Sequence, residues 1–243
     1  MDEKPLQKAK EHKLKITKII DETHDTKTFR AEIPKNADID FFPGQFFMVR
    51  FEDSNVLRRA YSIASSPTDN GFLDITMNLV GEFTGKLWKC GIGDNLVFTG
   101  PYGKFFFNED IRQNLVLIAG GLGITPLRSI IRYCTYKKLP NKINLVYSAK
   151  TPEDIVYREE LEKFKEKNLN YDFLFTITRP KPGHKWEGRT GRIDGALLKQ
   201  HIKDMENSLF FICGPLEFAK SIVSLLHDLG AKKEQIKTDI WGE

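Results

Sequence analysis

Cysteine is scarce in this chain. Cys90, Cys134 and Cys213 are the only three among 243 residues. None stands in C-x-x-C spacing, so a four-thiolate iron–sulfur cluster or a Cys-rich zinc site within the chain is excluded. An odd, scattered count also gives no disulfide framework. The five histidines, His12, His24, His184, His201 and His227, are equally dispersed. Long apolar runs are missing too, for no stretch reaches the roughly 18 residues a membrane-spanning helix requires. The opening segment MDEKPLQKAKEHK is charged and lacks the apolar centre of a secretory signal. Charge of one sign is not in excess either: 37 basic against 33 acidic residues leave +4, too mild for a nucleic-acid binder. Free thiols and these absences lead to the expectation of a cytoplasmic protein with no membrane insertion and no nucleic-acid partner.

Apolar residues, by contrast, make up 40% of the chain, enough for a sizeable core. The length suits one large domain or two ordinary ones, and the two halves differ in pattern. After a loose tail over 1–10, residues 11–108 read as an antiparallel β-barrel. Its strand-length segments are KLKITKII, TKTFRAEI, QFFMVRF, RAYSIAS, FLDITMNLV and DNLVFT, separated by turn formers such as Pro43-Gly44 and Asp69-Asn70-Gly71. One short helix, FTGKLWKC, falls among them. Residues 109–243 alternate strand and helix, beginning with the continuous apolar run NLVLIAG at 114–120. Such a run marks a strand buried on both faces, and strict alternation marks a parallel α/β sheet. The helices are expected over TPLRSIIRYCTYKK, DIVYREELEKFKEK, DGALLKQHI and PLEFAKSIVSLLHDLG.

Three motifs lie in order along this frame. Arg59-Ala60-Tyr61-Ser62 is on a barrel strand, where Arg supplies a planar fork of donors suited to a pyrophosphate and Tyr an aromatic face. Alternation points Arg59 and Tyr61 one way and Ser62 the other, so a bend or bulge is needed if all three meet one ligand. Gly120-Gly121-Leu122-Gly123-Ile124-Thr125-Pro126 joins a strand to a helix, a junction where glycines admit close approach and the helix N-terminus favours phosphate. It lacks the last glycine of G-x-G-x-x-G, and Pro126 suits the first turn. Cys213-Gly214-Pro215 ends a later strand at the carboxyl edge of the sheet, where open α/β sheets bind ligands.

Together these motifs resemble the ferredoxin–NADP reductase superfamily, from about Leu14 to Trp241. The resemblance implies an FAD-binding barrel and an NAD(P)-binding α/β domain. It puts Arg59 on the FAD pyrophosphate, Tyr61 against the flavin and Ser62 beside its reacting nitrogen. Gly81-Glu82-Phe83-Thr84 becomes a second phosphate-contacting segment, with Gly81, Phe83 and Thr84 at the cofactor, and the strand from Thr76 contacts the flavin edge. Gly121, Gly123, Thr125, Pro126, Gly214 and Pro215 fall to the nicotinamide nucleotide, and Cys213 to a place beside the hydride-donating carbon. Leu122 departs from the Thr of many relatives, and Thr125 is also a candidate helix cap. Ser62 and Cys213 are the candidate catalytic residues.

The second α/β strand ends without the acid that would bind an NAD ribose. Lys150 there, with Arg179 after the third strand, tips the expected nucleotide slightly from NADH toward NADPH, while Arg158 reads as a solvated surface residue. Trp241 is a candidate cover for the flavin face. Trp186 and Arg189, in the basic loop 181–192, are placed near the adenosine. Phe46, Phe47 and the 100–105 segment read as barrel packing. The activity implied is hydride transfer from NAD(P)H to FAD, then single electrons to a separate carrier protein. Ferredoxin leads, docked through lysines 4, 8, 10, 13, 86, 89 and 104. Alternatives are a reductase component of an oxygenase, a free flavin or quinone reductase, and a non-catalytic electron-transfer subunit of a larger complex.

Overall fold

The computed structural model describes residues 9–54 and 57–241. Alternating apolar side chains produce six antiparallel strands in the first half: β1 (Lys10–Asp21), β2 (Thr26–Glu32), β3 (Phe46–Phe51), β4 (Arg58–Ser62), β5 (Phe72–Asn78) and β6 (Asn95–Tyr102). They pair in the order β4-β3-β6-β1-β2-β5. A bridge from Ile63 to Ile75 joins the two edge strands and closes the sheet into a barrel. Leu14, Ile16, Phe29, Val49, Ile75 and Phe98 fill its interior. Helix α1 (Glu82–Trp88) packs Phe83 and Leu87 into the same core.

The second half is a parallel sheet of order β10-β9-β8-β7-β11-β12. Its strands are β7 (Asn114–Gly120), β8 (Ile143–Ala149), β9 (Tyr171–Ile177), β10 (Arg189–Thr190), β11 (Ser208–Pro215) and β12 (Ile236–Trp241). Helices α2 (Ile124–Tyr136) and α3 (Arg158–Lys167) cover one face, whereas α4 (Gly195–His201) and α5 (Leu216–Asp228) cover the other. The chain runs outward from β7 in both directions, so the carboxyl ends of β7 and β11 flank the crevice where doubly wound sheets bind ligands.

Three local expectations need correction. The helix expected from Asp154 begins only at Arg158, because Tyr157 is held at φ 61° with its hydroxyl bonded across to Thr76 of the barrel. Tertiary hydrogen bonding there overrides helical periodicity. The α/β alternation is not strict, since the two-residue β10 adds to β9 with no helix between them. Its basic, glycine-rich surroundings hid it, and it is held where Thr176 Oγ1 donates to the Gly191 carbonyl at 2.7 Å. The expected tail gives up Lys10, which already pairs with Gly100 of β6; residues 1–8 lie outside the described residues.

The barrel and the α/β half meet through a buried polar seam. Arg128 of α2 donates to the Ala64 carbonyl at 2.8 Å and to Glu160 at 2.6 Å. Its guanidinium also lies 3.6 Å from Asp74, which Arg30 grips bidentately. Arg132 spans Asp69 and Glu160, and Ser129 donates to the Ser65 carbonyl. Phe105 and Phe107, after β6, join the apolar core of the α/β half.

Candidate functional site

A cleft of about 630 Å³ opens at the junction between β4, β5, the start of α1, the β7–α2 turn and β12. Arg59, Ala60, Tyr61 and Ser62 all line it. They belong to an edge strand, β4, which pairs with β3 in unbroken register from Phe46–Ser62 to Arg50–Arg58. The bulge expected from alternation is not in this pairing: the nearby register shift puts its extra residue in β6, one strand further on. Tyr61 stacks at a tilt on Phe83, 5.9 Å away, and Phe83 on Phe51 at 4.8 Å. Burial pushes the Tyr61 hydroxyl above its ordinary range, so the ring presents a neutral face.

Of the other expected residues, Thr76, Gly81, Phe83, Thr84 and Thr125 also line the cleft. Thr84 Oγ1 accepts from the Val80 amide at 2.8 Å and donates to the Gly81 carbonyl at 3.2 Å, which fixes the turn into α1. The first amides of that helix have no intrahelical acceptor. Gly81 takes φ +131° with open space where a Cβ would stand.

Gly121, Gly123, Pro126, Cys213, Gly214 and Pro215 are not in the cleft lining. Gly123 has a packing reason instead of close approach to a ligand, since a Cβ there would sit 1.9 Å from the Cys213 carbonyl oxygen. Cβ atoms at Gly120 and Gly214 would meet the Phe218 ring. Lys150 and Arg179 are exposed and adjacent, with the Arg179 amide donating to the Lys150 carbonyl at 2.7 Å, outside the cleft. Arg158 pairs with Glu162 and lies over the Trp186 ring. Arg189 pairs with Asp194. Trp241 pairs through its backbone with Pro215; its side chain lies outside the described residues. Cys90 and Cys134 serve packing, with Cys134 fully buried.

The sequence reading missed Asp239. It stands opposite Cys213 in the β11–β12 register and lines the cleft. Its Oδ2 accepts from Ser62 Oγ at 3.5 Å and from Cys213 Sγ at 3.7 Å. Ser62 and Cys213, about 150 residues apart in sequence, thus converge on one carboxylate. Burial raises the Asp239 carboxyl above the ordinary aspartate range, against the hydrogen bonds from Cys213 and Ser62. Burial, reinforced by Asp239, pushes the Cys213 thiol well up, so it is a neutral group and not a nucleophile.

Phe46, expected as packing, is half-buried and lines the cleft beside Ser62. Leu122 and Ile240 add apolar surface, as does Val80 at the exposed rim. Of the lysines expected for docking, Lys10 pairs with Asp38, Lys13 with Glu52 and Lys86 with Asp53, whereas Lys4 and Lys8 lie outside the described residues.

Comparison with known proteins matches residues 13–107 to the oxidoreductase FAD-binding domain family and residues 117–224 to the oxidoreductase NAD-binding domain family. The chain belongs to the ferredoxin–NADP reductase superfamily. It is 30% identical over 236 residues to one component of the Na(+)-translocating NADH-quinone reductase of Marinomonas sp. (strain MWYL1), covering 90% of this chain and 57% of that protein. It therefore spans a little over half the length of such relatives. Its fold matches the ferredoxin reductase in carbazole 1,9a-dioxygenase with a TM-score of 0.85 at 23% identity, over 96% of this chain and 70% of the other. A ferredoxin NADP+ reductase from Neisseria gonorrhoeae with bound FAD and NADP matches with a TM-score of 0.81 at 24% identity, over 95% and 98%.

The two matches give the chain an oxidoreductase FAD-binding domain and an oxidoreductase NAD-binding domain, so the cofactors to be fitted are FAD and a nicotinamide nucleotide. The cleft fits those groups on its own evidence. Thr125 Oγ1 is buried in its wall with no hydrogen-bond partner, and a buried hydroxyl without a partner is costly unless a ligand satisfies it. That also answers the helix-cap expectation, for Thr125 caps nothing.

Proposed function

We propose that this reductase passes a hydride from NAD(P)H to FAD and then single electrons to a carrier outside these 243 residues. Residues 11–108 form the FAD-binding unit and residues 109–243 the nucleotide-binding unit. The convergence of Ser62 and Cys213 on Asp239, in the cleft that the unpartnered Thr125 also lines, carries this reading. FAD supplies the chemistry of accepting two electrons together and releasing them one at a time; the protein holds and orients.

In this reading Arg59 and the start of α1, with Gly81 and Thr84, take the pyrophosphate, while Tyr61 and Phe83 provide the aromatic wall. Thr125 donates to or accepts from the nicotinamide end, with Gly121, Gly123 and Pro126 shaping its turn. Gly214 and Pro215 shape the opposite turn, and Lys150 and Arg179 hold the far end of the nucleotide. Asp239, when ionised, draws the Ser62 and Cys213 hydrogens toward itself and so fixes both side chains at the reacting end. No general base is required, since hydride transfer depends on contact distance and orientation.

Ferredoxin suits the role of carrier because the chain holds too few cysteines for its own cluster. The likeness to a component of a quinone reductase favours a second reading, in which the carrier belongs to a larger quinone-reducing complex. Anaerobic titration of the FAD-loaded protein with NADH and NADPH tests the first step: bleaching of the flavin is expected, and no bleaching with either nucleotide overturns it. Reoxidation by ferredoxin, set against reoxidation by a soluble quinone, separates the two readings of the second step.

A further inference from the structure

A second groove, of about 580 Å³, opens at the junction beside Glu22, Arg128, Tyr157 and Glu160. A continuous file of hydroxyl groups joins it to the flavin cleft. Thr28 Oγ1 donates to Glu22 Oε1 at 2.6 Å. Thr28 and Thr76 stand directly opposite on β2 and β5, with their hydroxyl oxygens 2.7 Å apart. Thr76 lines the flavin cleft. The Tyr157 hydroxyl bonds Thr76 and lies 3.5 Å from Thr28.

The placement follows from the barrel's alternation. Leu73, Ile75 and Met77 point into the barrel core, so Asp74 and Thr76 face the α/β half. Both threonines are buried. For packing alone valine would serve at each, without two hydroxyls to satisfy.

We propose that Glu22, Thr28 and Thr76 form a proton path between this groove and the flavin cleft, carrying the proton that accompanies flavin reduction and reoxidation. The proposal rests on the hydride-transfer reading above, and its stoichiometry requires such a proton. NAD(P)H gives up a hydride, one proton with two electrons, and leaves as NAD(P)+. Full reduction of FAD to FADH2 takes one further proton from solvent, and return to FAD by two single-electron transfers releases two protons. For inward transfer the Thr28 hydroxyl first turns from Glu22 to donate to Thr76; the Glu22 carboxyl then gives its proton to Thr28 Oγ1, which passes its own to Thr76 Oγ1, which passes its own into the cleft. One O–H bond breaks and the next forms at each hydroxyl, and water in the groove reprotonates Glu22. Reoxidation runs the same path outward.

The groove end has the character this needs. Burial holds the Glu22 carboxyl above the ordinary glutamate range, with Glu160 and Asp74 adding to the rise and Arg128 and the Thr28 hydrogen bond opposing it. Asp21 and Lys163 also face the groove. The path is separate from the Ser62–Asp239 contact, which enters the cleft from β4 and β12.

The test uses the FAD-loaded protein, mixed anaerobically with the reducing nucleotide in weak buffer containing a pH-indicator dye. Flavin bleaching and proton uptake are read together. In the unaltered protein uptake keeps pace with bleaching. In Glu22→Gln and in Thr28→Val, which leaves the cleft lining intact, uptake is expected to lag bleaching by about 100-fold, the low end for losing a positioned proton-transfer group. Thr28→Ser restores the pace. Uptake that keeps pace in both variants, or a lag that Thr28→Ser does not repair, overturns the path. Redox-difference infrared spectra give a readout independent of turnover: a carboxyl band present in the unaltered protein and absent in Glu22→Gln is expected, and its absence from the unaltered protein overturns the proposal. If neither nucleotide bleaches the flavin, the hydride-transfer reading fails on its own. Electrode-driven reduction of the same FAD-loaded protein, followed with the same dye, still tests the path.

Discussion

Arg59 and Asp239 show how one side chain acts differently at the mouth and at the floor of the same cleft. Arg59 is exposed, and its guanidinium donates only to the neighbouring Arg58 carbonyl among the described contacts. Its planar fork is thus free for a pyrophosphate. Arg59→Ala is expected to purify largely without FAD, read from the visible absorbance of bound flavin, and to share the thermal midpoint of the unaltered protein stripped of FAD; full FAD occupancy overturns the assignment. Burial raises the Asp239 pKa above the ordinary aspartate range, with the hydrogen bonds from Cys213 and Ser62 opposing the rise. Its ionised form accepts from Ser62 and Cys213, and protonation removes the charge that strengthens both contacts. The rate of flavin reduction should therefore fall as pH drops through this raised pKa. Asp239→Asn, which cannot ionise, should remain near the low-pH rate at every pH, and an acid limb that persists in the variant removes Asp239 from the assignment. The linkage carries a stability sign as well. A carboxyl with a raised folded-state pKa penalises the fold when ionised. Asp239→Asn should accordingly stabilise the protein above that pKa, and the gain should vanish below the ordinary aspartate pKa. Chemical denaturation at two pH values checks it.

Elements decide which of these residues meet, and here legibility in the sequence divides by the range of the interaction. The strands of the barrel and NLVLIAG were readable because burial on one or both faces imposes a local pattern. Arg59, Tyr61, Ser62 and Thr125 were readable because each sits in a short motif. Asp239 had no motif: only the β11–β12 register, which brings it opposite Cys213, reveals it. Tyr157 likewise breaks its helix for a hydroxyl contact with a strand 81 residues away, a partner that periodicity cannot name. The β7–α2 turn shows both cases. Gly121, at φ +56° with nothing near a Cβ, is a glycine for its backbone alone, whereas Gly123 is a glycine because β11 lies against it. Gly121→Ala should cost about 1–2 kcal/mol, the penalty of a left-handed conformation. Gly123→Ala must move α2 or β11 from the Cys213 carbonyl, so a loss of about 3 kcal/mol, the upper range of overpacking, is expected. Differential scanning calorimetry should rank Gly123→Ala well below Gly121→Ala, and equal midpoints would falsify the close-approach argument.

At the scale of the whole molecule, the cleft exists only while the barrel and the α/β half hold one relative position, because each contributes walls to it. Apolar contact contributes through Phe105 and Phe107, but direction comes from the arginine seam. Arg128 is 7% exposed and reaches the barrel through two partners, Asp74 and the Ala64 carbonyl, while Glu160 of α3 holds it from its own half. Surface pairs act on a smaller scale: Arg158 with Glu162 is an exposed i,i+4 pair within one helix, worth about 0.3–0.5 kcal/mol. Removing one partner of a buried ion pair costs about 3–5 kcal/mol, because the remaining charges stay desolvated. Arg30 and Arg132 still cover Asp74 and Glu160, which places Arg128→Leu at the lower end, about 3 kcal/mol. Its consequence should reach beyond stability. With the seam loosened, the nicotinamide and flavin walls no longer keep one spacing, so flavin reduction should slow more than FAD binding weakens, and Arg158→Ala should change neither. Urea unfolding, FAD titration and single-turnover reduction of both variants measure these three quantities. Salt separates the pairs further, since the exposed contact is screened while the buried seam is not. An Arg128→Leu protein with unaltered urea midpoint and reduction rate would mean that the apolar contact alone holds the halves in register.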